Sequence, residues 1–290
     1  MSGPILDRIT PVLASVPGVA AIAVGGSRAR GTATAASDTD IGLYYHRGVE
    51  PSPVHLREAL KPLIEDSDSA VVTGVGEWGP WIVGGAWLRI GGKKVDLLYR
   101  CFEDVEEIIR ACSVGEVRMD YQPGHPHGFC SAIWMGEVAL CRPLHDPGGT
   151  IARLKAKTEP YPDPLREAIV RRFHWEILFS IENGEIAILR DDQTHIAGCA
   201  YRALCCVGQV LFALNRRYLV NEKGALAEAA EFPVTVLHLV SRASNVWQAI
   251  GSRRFRESFD ELRTIEGELT ALAANKSPAR TRGRIRPDFV

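Results

Sequence analysis

Two short β-forming runs, residues 19–24 and 39–45, are joined by a segment that opens on glycine and closes on paired carboxylates. The segment reads Val24-Gly25-Gly26-Ser27-Arg28-Ala29-Arg30-Gly31-Thr32-Ala33-Thr34-Ala35-Ala36-Ser37-Asp38-Thr39-Asp40-Ile41-Gly42-Leu43. Residues 19–24 are small and β-branched, which predicts a short buried strand ending at the glycines. Glycine there lets the backbone approach a ligand closely and present successive N–H groups, which suits phosphate. Side chains alternate along a strand, so Asp38 and Asp40 share a face, about 7 Å apart at ~3.3 Å per residue. Two hard carboxylates beside a phosphate-binding turn are the parts of a Mg²⁺–nucleotide site. Either half alone reads equally as an ordinary turn or a solvated strand end; the pair at this spacing carries the inference.

Gly26 and Gly31 have the spacing of a Walker A loop, but Thr32-Ala33 follow where Lys-Ser/Thr is required, so a P-loop NTPase is disfavoured. The pattern instead resembles the nucleotidyltransferase superfamily with the DNA-polymerase-β-like palm, in particular its small antibiotic-modifying (aminoglycoside and lincosamide) branch. That family's signature is an apolar residue, Gly-Gly/Ser, a spacer and Asp-apolar-Asp/Glu, with a third carboxylate later between apolar strand residues. Thr39 departs from it, standing where an apolar residue is usual. Residues 86–99 supply the third carboxylate: two β-like runs joined by Gly91-Gly92, a hairpin signal, with Asp96 between Val95 and Leu97. Asp96 faces opposite to both neighbours, so it can leave the core and join Asp38 and Asp40; an edge-strand aspartate paired with Lys94 or Arg100 is the alternative.

The rest of the chain fits a soluble enzyme. At 290 residues, 46% of them hydrophobic, it can bury a core large enough for two domains. A net charge of -1 gives no argument for nucleic acid or an anionic membrane. Seven cysteines without a Cys-x-x-Cys do not make a disulfide framework. No apolar run approaching about 18 residues and no signal-peptide pattern stand out, so the expectation is a cytoplasmic protein with no membrane partner.

Interleaved helix and strand patterns occupy residues 1–150, including an amphipathic stretch with Phe102, Val105, Ile108, Ile109 and Cys112 at helical spacing. After the Pro147-Gly148-Gly149 break the period becomes helical, with long segments at 163–188, 194–217 and 254–274 and a shorter one near 231–250. The expected fold class is α+β: a mixed-sheet palm domain (1–150), an all-α helical-bundle domain (151–275) and a basic disordered tail (276–290). Two side motifs are set aside: His125, His127 and Cys130 give too few ligands for structural zinc, and Arg190 to His195 fits a ribonuclease-like Arg-x4-His pattern but reads as an inter-helix loop.

What the resemblance implies is transfer of a nucleoside monophosphate, AMP from ATP, to a hydroxyl of a small-molecule acceptor, with pyrophosphate released. Two Mg²⁺ ions would be held by Asp38, Asp40 and Asp96, with Asp96 as metal ligand or proton acceptor. Gly25, Gly26, Ser27, Arg28, Arg30 and Ser37 would hold the nucleotide, and Lys223 would reach the triphosphate. Trp78, Trp81 and Glu176 would line the acceptor pocket, an acidic pocket favouring a cationic sugar and antibiotic resistance as the role. An antitoxin-like enzyme that adenylylates a protein partner, or a non-catalytic nucleotide-binding module, stays open, and no feature bears on oligomeric state.

Overall fold

The computed structural model describes residues 4–31, 34, 37–65 and 70–276. The basic tail, residues 277–290, lies outside the described residues. The chain divides into two units, Met1–Cys112 with Arg118–Pro160, and Ser113–Val117 with Tyr161–Val290. In the first unit the elements are α1 (Pro4–Ala14), β1 (Ala21–Val24), α2 (Gly26–Arg30), β2 (Thr39–Tyr45), α3 (Pro53–Leu60), β3 (Val71–Val72), β4 (Gly85–Ile90), β5 (Lys93–Cys101), α4 (Phe102–Ser113), β6 (Met119–Asp120), β7 (Phe129–Cys130), α5 (Ala132–Leu140), β8 (Arg142–His145) and α6 (Thr150–Thr158).

Six of the strands form one sheet in the order β3-β4-β5-β2-β1-β8, while β6 and β7 pair separately. β2 and β5 run parallel and the other pairs antiparallel, so the sheet is mixed and the fold α+β, as the pattern of the sequence indicates. Alternation decides its two faces. Ile41, Leu43, Val95, Leu97, Leu88 and Ile90 point into a core closed by Leu6, Ile9 and Leu13 of α1 and Leu56 and Leu60 of α3. Gly91 (φ 58°) and Gly92 (φ 71°) take the left-handed conformations of a two-residue hairpin turn between β4 and β5.

The helix after the Pro147–Gly149 break belongs to the first unit. Asp146 accepts from the amides of Thr150 (2.9 Å) and Ala152 (3.0 Å), capping α6. Lys155 then donates to the α5-end carbonyls of Ala139 (2.5 Å) and Cys141 (2.9 Å), which fastens α6 to α5.

The second unit carries α7 (Asp163–Ile188), α8 (Gln193–Leu214), α9 (Ala225–Ala230), α10 (Leu239–Gly251) and α11 (Phe255–Lys276), with no strand among its described residues. Gly184 of α7 leaves room for the Phe259 ring of α11, since a Cβ there would lie 2.0 Å from that ring. α8 corrects one expectation. Its 22 residues, with a mean hydropathy of 1.5 over 18 of them, are long and apolar enough to cross a membrane, yet 72% of that stretch is buried inside the protein. Small and apolar residues on nearly every side suit the central helix of a bundle.

Candidate active site

The strand register builds the site. Asp40 of β2 stands directly across from Asp96 of β5, and Asp96 in turn across from Trp87 of β4. Register partners share a face, so these three form a row on the face turned away from the α1/α3 core. Neighbouring strands lie about 4.8 Å apart, which puts the two carboxylates within reach of one small cation. Asp38 lies exposed just before β2.

The glycine turn is tied to Asp40 by its backbone and by its shape. Gly25 donates its N–H to the Asp40 carbonyl (2.9 Å). Gly26 has φ 57°, which favours glycine, and a Cβ there would lie 2.0 Å from Asp40 Oδ2, so a side chain would push the Asp40 carboxylate aside. The expectation that Gly25 lends its amide to phosphate is corrected, because that N–H is spent inside the fold. Arg28 is also engaged locally, its guanidinium donating to the carbonyls of Ser37 (3.0 Å) and Asp38 (3.2 Å) and holding the strand end against the turn. The Ser37 hydroxyl accepts from the Thr34 amide (2.9 Å). Ser27 sits in α2, as does Arg30, whose side chain lies outside the described residues.

Burial, followed by the charges of Asp96, Glu137 and Asp38, pushes the Asp40 carboxyl from the usual 3.8 up to about 6, and Arg100 opposes the rise. Arg100, only 4% exposed, is paired with Glu137 of α5 (2.8 Å) and lies 4.5 Å over the Trp134 ring. It is a buried cation on the same face of β5 as Asp96, four residues further along the strand. Hard oxygen donors that repel one another are what a divalent cation relieves, so the donor set fits Mg²⁺. Among the described residues no three His, Cys, Asp or Glu side chains form a ready cage. Mg²⁺ characteristically takes one or two carboxylates and completes its shell with substrate phosphate and water.

The residues expected to meet the acceptor divide. Trp78 stacks on Trp87 with ring centres 4.4 Å apart. Trp81 is corrected: 5% exposed, it stacks on Phe129 at 5.1 Å and donates its indole N–H to Asp120 (3.0 Å), so it anchors the loop. Glu176 is corrected too, since in the second unit it is committed to Arg202 and to Arg172 (3.4 Å). Lys223 is exposed in the turn before α9. Trp87 escaped the reading of the sequence although a signal existed: a two-residue turn at Gly91-Gly92 pairs 90 with 93 and, counting outward, 87 with 96. Glu137 left no such signal.

Residues 6–118 match the family model of the nucleotidyltransferase domain. No curated protein matches the sequence. Among solved structures, a nucleotidyltransferase-like protein from Exiguobacterium sibiricum 255-15 is similar at 9% identity and a TM-score of 0.42, over 93% of this chain and 75% of that one. With the glycine turn, the carboxylate row and the matched family model falling in the same stretch, residues 6–118 are a nucleotidyltransferase domain, and the protein is a transferase enzyme.

Proposed function

We propose that the protein transfers a nucleoside monophosphate, AMP from ATP, to a hydroxyl of a small-molecule acceptor of the aminoglycoside-like kind and releases pyrophosphate. The observation that carries this reading is the register pairing of Asp40 with Asp96 beside a glycine turn that closes on the Asp40 carboxylate. In such a transfer the acceptor oxygen attacks the α-phosphorus in line with the departing pyrophosphate. Asp40 and Asp96, with Asp38 beside them, are the residues that would hold Mg²⁺, two ions by analogy with two-metal sites. When bound, the metal supplies positive charge against the phosphate and the leaving group. Asp96, in the middle of the row, would also accept the acceptor's hydroxyl proton. Gly26 and Ser27 would receive the phosphates, while Arg28 holds Ser37 and Asp38 in place. Arg100, on the same face of β5, sets a positive charge against the row. Lys223, in the second unit, is not needed for this assignment.

Pyrophosphate release from Mg²⁺–ATP, screened against aminoglycosides, lincosamides and other hydroxyl compounds, tests the reading. Asp40→Asn should fold and lose about 10³-fold or more in turnover, the several kcal/mol that metal binding contributes. Turnover near that of the wild type would overturn it. Asp96→Asn divides the two jobs of that carboxylate: loss in kcat alone marks a proton acceptor, and a parallel loss of Mg²⁺-dependent ATP affinity marks a ligand.

A further inference from the structure

We propose that Trp87, backed by Trp78, is the platform on which the acceptor rests, and that the acceptor presents a saturated hydroxyl-bearing ring, a sugar or cyclitol; this rests on the nucleotidyl-transfer reading above. Trp87 is 51% exposed, although its β4 neighbours Ala86 and Leu88 are buried. On the carboxylate face Trp87 packs against a second indole, so the pair forms an aromatic patch rather than a single exposed side chain. The Trp87 ring is not left to move freely: Trp78 stacks on it nearly parallel, at 16° between planes. The Trp78 loop is fixed in turn by the buried Gln122, whose Oε1 accepts from the amide of Trp81 (3.0 Å) and whose Nε2 donates to the Trp78 carbonyl (3.3 Å). The result is a rigid aromatic surface rather than a single loose side chain.

Sheet order says which substrate it serves. The row runs Trp87 on β4, Asp96 on β5 and Asp40 on β2, with the glycine turn following β1 on the far side of Asp40. A triphosphate tail at Gly26–Ser27 directs the leaving pyrophosphate toward the β1 side. In-line attack must then come from the β4 side, where Trp87 stands. At ~4.8 Å per strand, the Trp87 backbone is about 5 Å from that of Asp96 and about 10 Å from that of Asp40, so a ring lying on the indole can place a hydroxyl over Asp96. The negative face of an indole attracts C–H groups and ammonium groups, the two things the face of an amino sugar or cyclitol offers.

The test uses full-length wild type, Trp87→Ala and Trp87→Phe, with calorimetric titration of Mg²⁺–ATP and, separately, of kanamycin A, lincomycin and methyl glucoside. At least one ring compound should bind the wild type, weaken about tenfold or more in Trp87→Ala and recover most of its affinity in Trp87→Phe, while Mg²⁺–ATP affinity stays within about twofold. Three results overturn the platform: no ring compound binds, binding is the same in Trp87→Ala, or Mg²⁺–ATP affinity falls in its place, which would make the nucleotide base the stacked group. A wild type that fails to bind Mg²⁺–ATP overturns the transfer reading as well, and that failure is seen with no ring compound present.

Discussion

Thr39 sits between the two carboxylates, and its side chain faces the core. It is fully buried, opposite Val95, and its hydroxyl has no hydrogen-bond partner among the described residues. A buried unpaired hydroxyl costs roughly 1–3 kcal/mol. Thr39→Val should therefore stabilise the protein by about 1 kcal/mol or more with no change in the fold, as read by denaturant midpoint. Loss of stability would show that the hydroxyl is satisfied. Asp40, on the other face, is destabilising in the metal-free protein for a different reason. A carboxyl raised in the fold from 3.8 to about 6 favours the protonated form, so stability is lost as pH climbs through that window and stays lost above it. In chelator, Asp40→Asn should thus be more stable than wild type at about pH 7, by at most about 3 kcal/mol, and the difference should close toward about pH 4. Mg²⁺–ATP should reverse the order by stabilising the wild type alone. Equal melting curves across pH would remove the acidic row as a source of strain.

At the scale of elements, two glycine turns look alike in sequence and behave oppositely. At Gly91 nothing lies within 4 Å of an added Cβ, and φ 58° is a value asparagine tolerates. Gly91→Asn should cost less than about 1 kcal/mol. Gly26 shares the positive φ, but its Cβ position is taken by the Asp40 carboxylate. Gly26→Ala must displace that carboxylate, so we expect about 1 kcal/mol of lost stability and a tenfold or larger loss of Mg²⁺–ATP affinity by calorimetry. Unchanged affinity would separate the turn from the nucleotide. The alternation of strands and the glycine punctuation were legible here because both act over a few residues. The fate of Trp81 was not, because its burial depends on Phe129 and Asp120, which reach it from a later part of the chain.

The whole molecule carries two separate cores, one around the mixed sheet and one around α8. Two cores predict two unfolding steps. Saturating Mg²⁺–ATP at about 100 times its Kd should raise the step of the sheet unit by about 2.7 kcal/mol. If the helical step stays where it was by far-ultraviolet circular dichroism, the nucleotide engages the first unit alone. If Lys223 contributes to the triphosphate, both steps move, and Lys223→Ala restores the difference between them.

By itself the sequence determined what depends on near neighbours: the strand, glycine turn and carboxylate order of residues 19–45, the Gly91-Gly92 hairpin, and the helical period after residue 160. Each follows from side-chain alternation, backbone freedom or helical periodicity within a short window. The tertiary structure alone decided the parallel register that sets Asp40 beside Asp96, the Arg100–Glu137 pair on the same face, the attachment of α6 to α5, and the burial of Trp81. Those contacts join segments far apart in the chain, and which of them form depends on the packing of the whole core rather than on any local preference.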